Sequence, residues 1–255
     1  FVSPVTNGSE SNSTVLLEVR MTAPATYGLP VSVNYSVVGG TASNVTDYLL
    51  PAGNITIAVG DSYTNISFSV VDDGVYEDAE TILVAISNIQ NAVAGPNTNC
   101  LHTIIDNDPP PTVYFASTPY SVMEDGGNIV IPVVLSTNTE RIISIAYSTS
   151  DGTAKAGQEY TSTNGIFVWP RNQSGTNTFV VPIIDNGEQG GNRSFYLTLS
   201  SPSNCTISGN SITNVIIREN DNIAPVVTNR GASNVQWTVA TLNGFMTTSY
   251  PPATA

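Results

Sequence analysis

Short runs of alternating apolar and polar residues recur along most of the chain, separated by turns rich in Gly, Asn, Asp and Pro. In the first half they are TVLLEVRM, VSVNYSV, NITIAV, NISFSVV, TILVAIS and LHTII. Such runs, rich in Val, Ile, Thr and Tyr, are typical of half-buried strands. No segment shows a sustained helical period, so the pattern predicts an all-β protein.

Three sequence blocks occur twice in the same order. SVNYSVVGGTASNVTDY returns 112 residues later as SIAYSTSDGTAKAGQEY, and IIDND returns as IREND. The stretch VVDDGVYEDAETILVAIS matches PIIDNGEQGGNRSFYLTLS. A repeat of about 110 residues is the size of one compact domain. We therefore predict two tandem immunoglobulin-like, seven-stranded antiparallel β-sandwiches, with Tyr35 and Tyr147 as core or corner aromatics of the third strand.

The predicted boundaries follow from this repeat. We expect module one at 1–108, a proline linker at 109–111, module two at 112–221 and an extended C-terminal tail at 222–255.

A spaced signature recurs in both modules: GTA, then an acidic residue and Tyr, then Gly, an acidic turn and a closing acidic run. Its first part is Gly40, Thr41, Ala42, Asp47, Tyr48 and Gly53 in module one, and Gly152, Thr153, Ala154, Glu159, Tyr160 and Gly165 in module two. This signature resembles the Calx-beta family, whose modules occur in the regulatory loop of sodium/calcium exchangers and in many secreted or cell-surface adhesion proteins. The resemblance implies a sandwich fold and leaves several functions open.

Acidic residues cluster in loops that strand polarity brings to one end of module one. In Calx-beta modules that bind calcium, the acid of the D-Y pair, the acidic turn and the terminal acidic run supply the ligands. The matching residues in module one are Glu10, Asp47, Asp72, Asp73, Glu77, Asp106 and Asp108. Asp78 and Glu80 belong to the same acidic loop. Calcium accepts six to eight oxygen ligands from flexible loops, and the alternative is a solvated acidic edge without an ion.

Module two offers a poorer set of carboxylates. Its candidates are Glu124, Glu159, Asp185, Glu219 and Asp221, with Asp125 and Glu188 nearby. Gly190 and Arg193 stand where module one has Glu77 and Glu80. We expect weaker calcium binding there, or an internal counter-charge from Arg193 in place of an ion.

The composition excludes several classes of function. Seven basic against 20 acidic residues give a net charge of −13, which argues against nucleic acid and anionic lipid as partners. No apolar run is long enough for a membrane span. The chain has one histidine, His102, which we expect to be a satisfied strand residue, so the sequence predicts a protein that is not an enzyme.

Nine N-x-S/T sequons favour a glycosylated, extracellular protein. They are at Asn7, Asn12, Asn34, Asn44, Asn54, Asn65, Asn172, Asn192 and Asn204. Strand alternation predicts that Asn34 points outward, between the core residues Val33 and Tyr35. We place Cys100 and Cys205 too far apart for an internal disulfide, which leaves buried free thiols or a bond between chains.

The two ends of the chain suggest an assembly hypothesis. Phe1 aligns with Phe115 but lacks the preceding TVY, while the tail resembles the opening strands of a further module. The tail residues concerned are Val226, Val227, Val235, Trp237, Val239 and Leu242. This segment is disordered, folded on its own chain, or paired with a partner. We expect an extracellular structural protein that forms a homopolymeric filament head to tail by strand addition, stiffened by calcium. The alternative is a calcium-responsive adhesion or sensor module that belongs to a larger protein.

Overall fold

The computed structural model describes residues 1–24 and 28–221, together with the backbone of 226–229 and 244–247. Two β-sandwiches follow one another along the chain. The strands of module one are β1 (Val5–Ser9), β2 (Thr14–Arg20), β3 (Val31–Gly40), β4 (Tyr48–Leu49), β5 (Gly53–Ile57), β6 (Tyr63–Val70), β7 (Glu80–Gln90) and β8 (Asn99–Ile105). One sheet has the order β1-β8-β7-β3-β5 and the other β2-β6-β4. Every predicted run of module one is a strand.

Module two repeats this plan. Its strands are β9 (Thr112–Phe115), β10 (Tyr120–Met123), β11 (Asn128–Leu135), β12 (Ile143–Ser150), β13 (Asn164–Trp169), β14 (Gly175–Pro182), β15 (Arg193–Ser203), β16 (Thr206–Ile207) and β17 (Ile212–Arg218). The sheet orders are β10-β17-β15-β12-β13 and β14-β11-β9-β16. A short 3₁₀ turn, Glu124–Gly126, precedes β11. No helix in the described ranges is long and apolar enough to cross a membrane.

The sandwich fold is confirmed, but its pairing is not antiparallel throughout. In module one, β1 pairs in parallel with β8, from Val5 opposite Leu101 to Ser9 opposite Ile105. In module two, β10 pairs in parallel with β17. The opening segment of module two is split, because β9 joins one sheet and β10 the other. This split and the short strands raise the strand number above the predicted seven.

Each module has its own apolar interior. Leu17, Ile66, Phe68 and Ile82 lie in the core of module one, and Ile131, Ile145, Phe195 and Leu197 in that of module two. Tyr35 and Tyr147 are half-buried against these cores, as predicted, although Tyr147 is on the fourth strand of its module. Alternation on β3 is also as predicted: Val33 is buried and Asn34 faces outward, opposite Asn54.

The two cysteines are free and buried in separate cores. Burial raises the pKa of both thiols. Burial of both thiols favours the first of the two alternatives that the sequence left open, free thiols rather than a bond between chains.

His102 is not the fully satisfied residue that the sequence suggested. On β8 it is 2% exposed, and its Nδ1 is 2.8 Å from Oγ1 of Thr6 on β1. The ring packs edge-on against Phe68, with centroids 5.6 Å apart. Its Nε2 is buried and has no partner among the described residues. Burial lowers the pKa of His102, so the imidazole is neutral at neutral pH.

Replacing His102 with valine, the residue that module two has at the aligned position 215, should remove an acid-sensitive contribution to stability. The pKa of His102 is lower in the folded protein than in the unfolded one, so protonation favours the unfolded state. The free energy of unfolding of wild-type module one therefore falls as the pH drops through about 6.5. For one proton, the free energy of unfolding changes by at most about 1.4 kcal/mol per pH unit. Urea unfolding with chelator between pH 7.5 and 5 measures it. An unchanged slope in His102→Val would contradict this account.

The described parts of the tail pair with each other. Strand β18 (Val226–Asn229) is antiparallel to β19 (Gly244–Thr247) of the same chain. The assembly residues Val235, Trp237, Val239 and Leu242 lie outside the described residues.

The sequons lie mainly on the surface. Eight of the nine asparagines are exposed, and Asn34 is half-buried on the outer face of its sheet. Occupancy by glycans remains a prediction.

Candidate metal centre

Four loop segments of module one meet at one end of the sandwich, which we call the acidic pole. They are the β1–β2 turn with Glu10, the β3–β4 loop with Asp47, the β6–β7 loop with Asp72 to Glu80, and the segment after β8 with Asp106 and Asp108. Parallel pairing explains the place of Glu10, because β1 and β8 end side by side. The predicted convergence of these loops is therefore present.

The carboxylates of the acidic pole form two triads. Glu10, Asp106 and Asp108 make one, and Asp47, Glu77 and Glu80 the other; within each triad a ligand oxygen from every residue lies within 4.8 Å of the others. Glu10, Asp47, Asp73, Glu77, Asp78, Glu80 and Asp106 also line a cavity of about 10 Å³. This is room for a single ion or water molecule.

Asp106 connects the two sides of the cavity. Its Oδ2 accepts a hydrogen bond from the backbone N–H of Glu77 at 2.9 Å, and its Oδ1 accepts one from that of Asp108 at 2.8 Å. The backbone N–H of Asn107 donates to Oε1 of Glu10 at 3.3 Å. The segment after β8 thus positions carboxylates from the two neighbouring loops.

Crowding and burial change the acidity of these groups. Burial raises the pKa of Glu77 to about 8, and repulsion from Glu140 and Asp73 adds to the shift. Burial raises the pKa of Glu10 to about 7. The pKa of Glu80 is also about 7, because of burial and a hydrogen bond with Asp47. Without a cation the pole therefore retains protons, which a bound metal ion would displace.

The residues fit a calcium ion. Calcium prefers carboxylate oxygens and tolerates irregular geometry. The Oδ2 atom of Asp108 is buried and has no hydrogen-bond partner among the described residues, as expected for an oxygen that awaits a cation.

Not every predicted ligand is equally placed. Asp73 lines the cavity, whereas Asp72 is exposed and its Oδ1 accepts a hydrogen bond from Nδ2 of Asn107 at 3.4 Å. Glu80, which the sequence placed at the pole but not among the ligands, belongs to the second triad. The sequence could have indicated this role of Glu80, because the residue aligned with it in module two is Arg193, which has the opposite charge.

Module two has an arginine, Arg193, at the position that aligns with Glu80 of module one. Nη1 of Arg193 forms an ion pair with Oε1 of Glu159, whose side chain is 3% exposed. The other Glu159 oxygen accepts a hydrogen bond from the backbone N–H of Lys155 at 2.6 Å. Since Glu159 aligns with Asp47, Arg193 supplies beside it the positive charge that an ion would supply in module one.

The remaining acids of module two form one triad, Glu124, Asp185 and Asp221. Burial and a hydrogen bond with Glu219 raise the pKa of Glu124. The pKa of Glu219 is lowered, chiefly by the backbone N–H of Asp221. Of the five predicted ligands, Glu124, Glu159 and Glu219 thus have hydrogen-bond or ion-pair partners within the chain.

The profile of the Calx-beta domain family matches residues 1–108 and again 106–221. The chain belongs to the Calx-beta family.

Relatives of this Calx-beta chain include the rat sodium/calcium exchanger 1, 26% identical over 192 residues, and the human sodium/calcium exchanger 3, 23% identical over 192 residues. These matches cover 68% and 67% of the chain, but only 20% and 21% of the exchangers. The chain therefore spans about a fifth of the relatives' length.

The solved structures that the chain matches include CBD12 from CALX1.2 and the apo-form Calx CBD1 domain. The first covers 84% of this chain and 97% of its own, at 19% identity and a TM-score of 0.40. The second covers 44% of this chain and 100% of its own, at 28% identity and a TM-score of 0.42.

The acidic pole of the first Calx-beta module touches the second module. Arg141, in the β11–β12 loop, forms an ion pair with Asp78, with Nε 3.0 Å from Oδ1. Its Nη1 donates to the Tyr76 hydroxyl at 2.8 Å, and its guanidinium lies 4.3 Å from the centre of that ring. The Thr139 hydroxyl donates to the Tyr76 carbonyl. Module two therefore contacts Tyr76 and Asp78, the residues immediately before and after Glu77.

Replacing Arg141 with alanine should loosen the two modules from each other. The change removes an ion pair, a hydrogen bond and a cation–π contact from one side chain that is 23% exposed. Nitrogen-15 relaxation should show two tumbling times that differ more than in the wild type. Arg171→Ala is the matched control, since Arg171 is 3.9 Å from Asp78 and 58% exposed. Equal effects of the two variants would argue against this role for Arg141.

Proposed function

We propose that the chain is a calcium-binding regulatory unit, in which module one binds the ion and module two responds to it through the shared interface. The observation that carries this proposal is the pair of carboxylate triads around one cavity in module one, with Arg193 in the corresponding place of module two. The names of the matched exchangers include calcium, which supports the choice of ion.

The proposed mechanism follows from the loops that carry the ligands. Without an ion, the raised pKa values of Glu77 and Glu10 reflect carboxylates held close together in a buried setting. The carboxylates of the two triads would hold a calcium ion, which would offset their charge and link Glu77 of the β6–β7 loop to Asp106 after β8. Tyr76 and Asp78 flank Glu77 in that loop and contact Arg141. A change in the loop therefore reaches module two directly.

Titration calorimetry on the intact chain, after treatment with chelator, tests the proposal. We expect calcium to bind more tightly than magnesium, because magnesium requires a stricter octahedral site. The double variant Glu77→Gln, Asp106→Asn should lose most of the binding heat. The matched double variant Asp185→Asn, Glu219→Gln in module two should keep it. Binding heat that survives the first variant but not the second would assign the ion to module two and refute the proposal.

The filament hypothesis receives less support. The backbone of β18, which was expected to add to another subunit, pairs with β19 of its own chain. Sedimentation of the intact chain with calcium over a wide concentration range would detect head-to-tail assembly.

An extracellular location draws support from the exposed sequons alone. Mass spectrometry of the protein from its natural source tests this location by detecting glycans.

A further inference from the structure

Module one has a second, larger cavity that the calcium proposal does not use. It is an open depression of about 560 Å³ between β1 and β2, the edge strands of the two sheets. Hydroxyl and amide side chains form most of its wall: Thr6, Asn7, Ser11, Asn12, Ser13 and Thr14. Among the described residues that line it, none carries a formal charge at neutral pH.

The internal repeat shows why the cavity exists. In the parallel pairs, Thr6 lies opposite His102 and Tyr120 lies opposite Val215, so Thr6 corresponds to Tyr120 and Gly8 to Val122. In module two the buried Tyr120 closes this side of the sandwich, and its hydroxyl donates to the carbonyl of Pro132 on β11. Val122 packs against the same core. Module one has a threonine and a glycine instead, which leaves the space open.

His102 forms the floor of this cavity. A Cβ atom on Gly8 would lie 3.7 Å from Cε1 and 3.8 Å from Nε2 of the imidazole, so this buried edge of the ring lies directly beneath the glycine. The Nε2 atom is the buried nitrogen that lacks a partner. Buried polar atoms are normally paired, so a ligand atom that hydrogen-bonds there would satisfy it.

We propose that this cavity binds a neutral, hydroxyl-rich molecule of the hexose or N-acetylhexosamine class. An uncharged lining disfavours ions, and hydroxyl and amide walls match the hydroxyl groups of such a ligand. Val15 and the exposed Leu16 are the apolar residues of the lining. The volume is within the range of roughly 300–1,000 Å³ typical of small-molecule sites.

Two sources can supply this chemistry. One is a free sugar, and the other is the first sugar of a glycan attached to Asn7 or Asn12, which both border the cavity. Nothing in the proposal depends on calcium, so its failure would leave the calcium site untouched.

The single histidine of the chain makes the test direct. The intact chain, made without glycans in the bacterial cytoplasm and labelled with nitrogen-15, gives imidazole signals that belong to His102 alone. N-acetylglucosamine and glucose are the probes, and glucosamine and glucuronate are their charged controls. We expect the neutral sugars to shift the Nε2 signal saturably below about 100 mM, since small neutral ligands bind in the millimolar range. The charged sugars should bind at least several-fold more weakly.

Gly8→Val recreates the side chain of Val122 and should abolish the shift. Thr178→Val adds the same side chain on the exposed face of β14 and should not change it. If Gly8→Val fails to fold, Ser13→Gln, which narrows the mouth of the cavity, replaces it. A shift that survives in the cavity variant would show that the sugars act elsewhere and would overturn the proposal.

The same chain secreted from a eukaryotic host separates the two sources. If the occupant is the chain's own glycan, the Nε2 signal is shifted before any sugar is added, and Asn12→Gln or Asn7→Gln returns it to the unglycosylated value. If the occupant is a free sugar, the unglycosylated chain responds and glycan removal has no effect. No response in either preparation would mean that the cavity holds only water, and the proposal would be wrong.

Discussion

Replacing Arg193 with glutamine is expected to destabilise module two by about 3 kcal/mol and to make it responsive to calcium. The side chain of Glu159 is 3% exposed, and Arg193 is its ion-pair partner. Removing the arginine leaves the buried carboxylate of Glu159 without a counter-charge. A buried, unpaired charge destabilises the folded state. Calcium can then take the vacated position and restore part of the loss. Urea unfolding with chelator and with calcium measures both effects.

Two matched variants make this result interpretable. Adding Glu159→Gln to Arg193→Gln should recover most of the stability and remove the calcium response, because the unpaired charge is gone. Glu80→Gln changes the aligned position in module one, where like charges repel, and should stabilise the chain in chelator. If Arg193→Gln were as stable as the wild type, the ion pair would have no structural role.

Calcium should raise the free energy of unfolding of module one by about 2.7 kcal/mol when it is present at a hundredfold excess over its dissociation constant. Asp106→Asn should remove most of this increment. Asp106 belongs to the first triad and accepts hydrogen bonds from the backbone of Glu77 and Asp108, so its loss affects the ligands of both triads. Calorimetry of the intact chain, with and without calcium, gives the increment.

Glu219→Gln is the control for Asp106→Asn, because the two positions align between the modules. We expect the calcium increment of module one to be unchanged in this variant. An increment that persists in Asp106→Asn would remove this residue from the site and point to the second triad alone.

Much of the fold could be predicted because alternation and the internal repeat are strong local signals. Each strand of module one from β2 to β8, apart from the two-residue β4, corresponds to a run seen in the sequence. Strand polarity then placed Asp47, Glu77 and Asp106 at one end, since loops at alternate strand ends must meet. These residues are at the acidic pole in the structure.

Other features depend on contacts that no local pattern records. The parallel pairing of β1 with β8 cannot be seen in VTNGS, which lacks a clear alternation. The contact of Arg141 with Tyr76 depends on how one module follows the other. The unpaired nitrogen of His102 lies beneath Gly8, and the contrast with Tyr120 and Val122 of module two is visible only when the two modules are compared in space.

The separate burial of Cys100 and Cys205 gives each module its own chemical reporter. A thiol reagent reacts with thiolate, and both thiols are buried with raised pKa values, so labelling requires the surrounding sandwich to open. Because each core holds one cysteine, the rate at each site follows the opening of one module within the intact chain. The opening rate of one sandwich can thus be followed while a ligand holds the other closed, without introducing a cysteine by substitution.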